Sequence, residues 1–166
     1  MPAAKLHRRR SAANARPASS RLRSDRGVAL VEFALIAPIL FLVLFAIIDF
    51  GRAINYWQDA SHLSSEAVRY AAVSTKPTGC STTLQQCIQQ QADTTELRDG
   101  STSVLQRLRV CLTFPNGTTA GNPAKITASF RFQWLPIIGL GATDISADAT
   151  MRLERDSTNA AGCFPT

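Results

Sequence analysis

A long apolar run at residues 28–48 limits most strongly what this chain can fold into. The run has 21 residues and a single charged residue, Glu32. A helix of this length, rising ~1.5 Å per residue, is about 31 Å long, which matches the hydrocarbon core of a bilayer. The polar residues that follow contain no small-residue cleavage site of the secretory type. The sequence therefore predicts a transmembrane helix that is retained in the mature protein.

The positive charge of the chain lies in front of this run. Residues 1–27 contain eight Lys and Arg residues and one Asp, a balance of +7, so the formal net charge of +6 leaves −1 for the rest. A basic arm can bind nucleic acid by neutralising phosphates. Beside a membrane span, however, Lys and Arg stay on the cytoplasmic side. We therefore expect no nucleic-acid partner, a cytoplasmic N-terminus, and residues 50–166 on the other side of the membrane.

Two residues interrupt the apolar run. Pro38 removes one helical hydrogen bond and predicts a kink. Glu32 is harder to accommodate, because a carboxylate inserted into lipid costs at least ~2 kcal/mol. Either Glu32 lies at the level of the headgroups, or it has a partner. A cut between Gly27 and Val28 would create an α-amino group four residues before Glu32, one helical turn away, which could pair with this carboxylate or with that of a neighbouring subunit.

Four segments resemble a known family. Residues 27–33 are similar to the class III, type IV prepilin cleavage motif, in which Gly27 precedes the cut at Val28, and Glu32 and Phe33 hold the fifth and sixth mature positions. The other segments resemble TadE/TadG-like pseudopilins of tight-adherence systems. They are the end of the membrane helix at Asp49, Phe50, Gly51, Arg52 and Ala53, the AVRYAA run at 67–72, and the ADATMRLE run at 147–154. The resemblance covers roughly residues 27–155.

The resemblance implies a non-enzymatic function. It implies a minor pilin or pseudopilin that takes part in assembly of a tight-adherence (Flp) pilus or a related secretion apparatus, and so contributes to adhesion, biofilm formation or secretion. Its partners would be a prepilin peptidase, other pilin and pseudopilin subunits, the inner-membrane assembly platform and the lipid bilayer. The protein would be a single-pass protein of the bacterial inner membrane. Whether it enters the fibre, caps it or only assists assembly stays open.

Beyond the span, residues 49–76 predict an amphipathic continuation of the helix, ending at about Thr75. Its apolar stripe recurs at spacings of three and four and consists of Ala53, Tyr56, Ala60, Leu63, Ala67 and Tyr70. A short second helix is predicted at residues 81–93, with Ser81 or Thr82 as its N-cap.

Three later segments, at residues 107–114, 125–134 and 144–154, alternate apolar and polar side chains with period two. This pattern indicates an antiparallel sheet that is covered on one face. The predicted fold class is therefore α+β: a long N-terminal helix packed on a small antiparallel three-stranded sheet, with one short helix, and with residues 77–166 as the extracytoplasmic region. The connection at residues 135–141 is unusually apolar, so it either folds back on the core or contacts membrane or a partner.

Four cysteines in an exported domain indicate disulfides, and four cysteines allow three pairings. We favour Cys80 with Cys87 and Cys111 with Cys163. These spacings lack the close clusters of zinc sites, so we expect no metal. We also expect no cofactor and no catalytic residues, because no phosphate-binding loop or nucleophile motif is present. An uncleaved, membrane-anchored binding domain remains the alternative, and a membrane-tethered hydrolase is disfavoured.

Overall fold

The computed structural model describes residues 19–136 and 139–166, with side chains from residue 27 onward. Most of the predicted basic leader, residues 1–18, lies outside the described residues. The described residues divide into two units, residues 19–42 and residues 43–166.

Helix α1, Ser19–Ala72, contributes to both units and is helical through Pro38. In the first unit almost every side chain from residue 28 to residue 42 is exposed, although nearly all are apolar. A helix that is apolar all round needs an apolar environment on all sides. The portion Gly27–Ala72 is long and apolar enough to cross a membrane, judged by length and composition.

In the second unit the predicted apolar stripe of α1 is buried in the core, and Tyr70 packs against it partly exposed. The helix ends at Ala72, three residues before the predicted end. The Thr75 amide donates to the Tyr70 carbonyl and the Ser74 amide to the Ala71 carbonyl. Ser74 has a φ of 54°, so these two bonds form a Schellman motif, which stops the helix.

The predicted short helix at residues 81–93 is present but shorter, and a further helix that was not predicted follows it. Helix α2 is Leu84–Gln90, and its N-cap is Thr83, whose side chain accepts a hydrogen bond from the Gln86 amide. The prediction of Ser81 or Thr82 as cap was therefore wrong by one or two residues. Helix α3, Thr95–Asp99, follows after a break. The Thr94 amide and hydroxyl both donate to Asp59 of α1, and this long-range contact could not be read from local sequence.

Within residues 19–136 and 139–166, the sheet has four antiparallel strands in the order β3-β2-β1-β4, and not the three predicted. The strands are β1, Val104–Thr113, β2, Pro123–Trp134, β3, Gly141–Arg152, and β4, Gly162–Phe164. The three predicted strands are confirmed. The added β4 has only three residues, too few to show alternation, and it pairs with β1 across more than fifty residues of sequence.

The core lies between the α1 stripe and one face of the sheet. Tyr56 of α1 contacts the rings of Phe130 and Phe132 at centroid distances of 6.2 and 6.0 Å. The inward residues of β1 and β2 are those that the alternation predicted, and Leu84, Ile88 and Leu97 of the short helices complete the core. The α+β class and the packing of the helix on the sheet are therefore confirmed.

Candidate functional site

The residues of the predicted cleavage motif lie on the exposed surface of α1. Val28 and Phe33 are 56% and 61% exposed, and Glu32 is also exposed. Glu32 makes no ion pair with another described residue. Because Val28 and Glu32 are four residues apart in a helix, they lie on the same face, one turn from each other. The motif is thus accessible to a partner from outside the chain.

Gly27 has no structural role inside the described chain. It lies within α1, and a Cβ atom placed on it would meet nothing within 4 Å. A glycine in a helix interior costs about 0.5–1 kcal/mol relative to alanine. The glycine is therefore unfavourable for the helix, and no close contact among the described residues requires it.

Asp49, at the end of the apolar run, holds the connection between β2 and β3. Its side chain is only 5% exposed, and its Oδ2 accepts a hydrogen bond from the Leu135 amide at 2.5 Å. Leu135 has a φ of 41°, a conformation that non-glycine residues rarely adopt. The bond to a carboxylate stabilises this turn, because hydrogen bonds to charged groups are the stronger ones. Gly51 and Arg52, the other predicted residues of this motif, are exposed.

Tyr56, two turns beyond Asp49, is buried in the core. Burial raises the pKa of the Tyr56 phenol, since the ionised form would lose its hydration. The carboxylates of Glu96 and Asp49 raise the pKa further, while the Arg52 guanidinium lowers it. Tyr56 therefore stays neutral at physiological pH and serves as a core residue.

A groove of about 480 Å³ opens beside Asp49. It is almost wholly apolar and is lined by Ala46, Ile47, Asp49, Phe50, Trp134, Leu135 and Leu140. The sequence did not single out Trp134 or the bond between Asp49 and Leu135. The signal that pointed to this region was the apolar composition of residues 135–141, and the groove shows that part of this connection does contact α1.

Two disulfides join Cys80 to Cys87 and Cys111 to Cys163. This is the pairing that the sequence favoured. The second disulfide joins directly opposite positions of β1 and β4, so it attaches the C-terminal segment to the sheet.

Within the part of the chain that the structure describes, no group of three or more His, Cys, Asp or Glu side chains could hold a metal ion. His62 lies exposed on α1.

These features define a class of protein: one helix able to span a membrane, continuous with the first element of a disulfide-bonded α+β unit. Residues 27–69 match the family model of TadE-like proteins. No curated protein and no solved structure matches the chain significantly. The resemblance to TadE-like proteins is thus confirmed for the segment from the predicted cleavage site to the outer part of α1. The match ends before the ADATMRLE run at 147–154.

Proposed function

We propose that this protein is a minor pilin of a tight-adherence pilus or a related secretion apparatus. It is stored in the membrane through α1, loses residues 1–27, and then packs laterally with other subunits. The observation that carries the proposal is the TadE-like match, which begins at Gly27 itself. The exposed surface of α1 that follows Gly27 in the sequence supports the proposal.

Processing is the first step of the proposal. Gly27 is unfavourable for the helix, and no contact among the described residues requires it. Because Gly51 shares these properties, the cut is assigned to Gly27 on the apolar run that follows it, with Glu32 at the fifth position. A prepilin peptidase that cuts after Gly27 leaves Val28 as the new N-terminus. The catalytic groups belong to that peptidase, and this chain supplies the substrate.

Assembly is the second step. After cleavage the Val28 ammonium lies one turn from Glu32, in its own helix or in a neighbouring subunit. When exposed helices pack together, both charges leave water, and an unpaired buried charge would cost several kcal/mol. Pairing the Glu32 carboxylate with an ammonium offsets that cost and sets the register between subunits.

The orientation follows from charge. The basic residues before the span keep the N-terminus in the cytoplasm, which places residues 77–166 in the periplasm or outside the cell. Both disulfides lie in this region, and disulfides persist in oxidising compartments. The proposed partners are the prepilin peptidase, other pilin and pseudopilin subunits, the inner-membrane assembly platform and the lipid bilayer.

Intact-mass measurement of the membrane fraction tests processing. Coexpressed with a matching prepilin peptidase, the chain should lose residues 1–27 and begin at Val28. Gly27→Leu should block the cut. Gly51→Leu is the matched control, because Gly51 also lies in α1 with no atom within 4 Å of an added Cβ, and it should be cut normally.

A full-length chain in the presence of active peptidase would refute the processing step and favour the alternative, an uncleaved single-pass anchor that carries a binding domain. Equal cleavage of the wild-type and Gly27→Leu chains would show that the cut lies elsewhere.

A further inference from the structure

Two hydrogen bonds align the sheet with the outer part of α1. At one end the Leu135 amide donates to Asp49. At the other the Glu154 amide donates to the Ala72 carbonyl at 2.9 Å. The 23 residues from Asp49 to Ala72 cover about 35 Å of helix. The end of the sheet where β2 meets β3 therefore lies at the end of the apolar run, and the opposite end lies far from it.

The two ends of the sheet differ in polarity. The end near Asp49, here called the apolar end, comprises Leu105, Trp134 and Leu140. Leu105 and Leu140 are 56% and 62% exposed. Leu105 lies beside Val104, which pairs with Phe132, and a register shift of β1 at this point leaves Leu105 outside the core.

The far end of the sheet is polar. Asn122 bonds the Asn116 carbonyl and the Thr119 hydroxyl, and the Ala120 amide bonds Asp156. The segment after β3 adds exposed charged residues, Arg152, Glu154, Arg155 and Asp156. The two most exposed large apolar side chains of the sheet region, Leu105 and Leu140, thus lie at the end that meets the apolar run, whereas Met151, 37% exposed, lies at the far end.

The groove makes the apolar end continuous with the last turn of that run. Ile47 and Phe50 of α1 line it on one side, and Trp134, Leu135 and Leu140 line it on the other. Both Ile47 and Phe50 are largely exposed. If residues 28–48 span a bilayer, Ile47 lies at its boundary, and so does the opposite wall of the groove.

We infer that the apolar end is a second membrane contact, and that acyl chains of the bilayer spanned by α1 fill the groove. Trp134 suits this place, because its Nε1 donates to the Thr143 hydroxyl at 2.8 Å while its ring stays apolar, as in the aromatic belts of membrane proteins. The contact would hold the outer unit in one orientation on the membrane before assembly. It shares the membrane span with the proposed function but needs neither cleavage nor a pilus.

Fluorescence quenching by lipid tests the inference on the full chain. The protein is reconstituted in phosphatidylcholine vesicles whose acyl chains are brominated near the headgroup. The probe is the native indole of Trp134, which lines the groove, and Trp57→Phe removes the other indole of the chain.

Two single-tryptophan chains serve as controls. In the first, Trp134→Phe leaves only Trp57, which lies nine residues beyond the span, about 13.5 Å further along the helix. In the second, Leu44→Trp in the background without native indoles places the probe inside the span.

The probe at Trp134 should lose several-fold more emission than Trp57, and its loss should approach the loss at residue 44. Quenching at residue 44 but not at Trp134 would overturn the inference, leave the span intact, and assign the groove to a protein partner. Absence of quenching at both positions would contradict the span itself, and with it both proposals.

Discussion

Removal of each disulfide separately should destabilise the outer unit by different amounts. The Cys80–Cys87 disulfide closes a segment with a sequence separation of 7, and the Cys111–Cys163 disulfide one with a separation of 52. A disulfide stabilises mainly by restricting the unfolded chain, and the longer segment restricts it more. The variants Cys111→Ala/Cys163→Ala and Cys80→Ala/Cys87→Ala are therefore a matched pair.

The chain-entropy relation gives the magnitudes. A separation of 52 corresponds to about 4.1 kcal/mol at 25 °C, and a separation of 7 to about 2.4 kcal/mol. We therefore predict that removal of the Cys111–Cys163 disulfide lowers the free energy of unfolding by about 1.7 kcal/mol more than removal of the Cys80–Cys87 disulfide. Loss of side-chain packing works against it, because Cys87 is buried whereas Cys111 and Cys163 are half-buried. The difference in chain entropy between the two segments should nevertheless exceed this packing effect.

Urea unfolding of the full chain in detergent micelles, followed by near-ultraviolet circular dichroism, measures both losses. If the slopes of the free energy of unfolding against urea concentration agree between the variants, the shift of the transition midpoint reports the change in stability directly. Losing the Cys111–Cys163 disulfide should also free β4 from β1, so amide exchange should rise at residues 162–164 in that variant alone. Equal losses in both variants, or a larger loss for Cys80–Cys87, would refute the reasoning.

Two further predictions concern single side chains. Glu32→Gln should insert and be cleaved normally yet assemble poorly, and Glu32→Ala should assemble worse, because a buried Val28 ammonium would lack its counter-charge at a cost of several kcal/mol. Crosslinking of cleaved protein to pilus components checks this, and normal crosslinking in both variants would leave Glu32 without an assembly role. The raised pKa of Tyr56 predicts that the folded state is sensitive to alkaline pH. The contribution of Tyr56 to the free energy of unfolding is fully present below about pH 10, the usual tyrosine pKa, and it is lost as the pH rises through the higher pKa of the folded state. Tyr56→Phe should abolish that part of the pH dependence in unfolding measurements, and an unchanged alkaline profile would contradict the burial argument.

The elements that were predicted correctly are those whose side chains repeat over many residues. The α1 stripe recurs over about five turns, and the three predicted strand segments, residues 107–114, 125–134 and 144–154, alternate over eight to eleven residues. Repetition of this kind reports which face is buried, whatever covers it. The disulfide pairing was also favoured correctly, since Cys80 and Cys87 are close in sequence.

Element ends and short elements were predicted poorly. Ser81, Thr82 and Thr83 can all cap a helix, and the sequence offers no local reason to choose Thr83. Strand β4 is held by its pairing with β1 and by the Gln85 amide, which donates to the carbonyls of Ala160 and Gly162. None of these contacts is local, so no window of sequence contains them.

The same distinction between local sequence patterns and non-local contacts applies to the candidate site. The sequence by itself determined the apolar run, the basic residues before it, the glycine at position 27 and the carboxylate at position 32, because composition and spacing along one helix suffice to place them. Only the tertiary structure decided that Asp49 binds the Leu135 amide and that Trp134 and Leu140 face Ile47 across a groove. These residues are more than eighty positions apart along the chain, and what brings them together is the packing of the sheet against α1, a non-local interaction that no periodicity records.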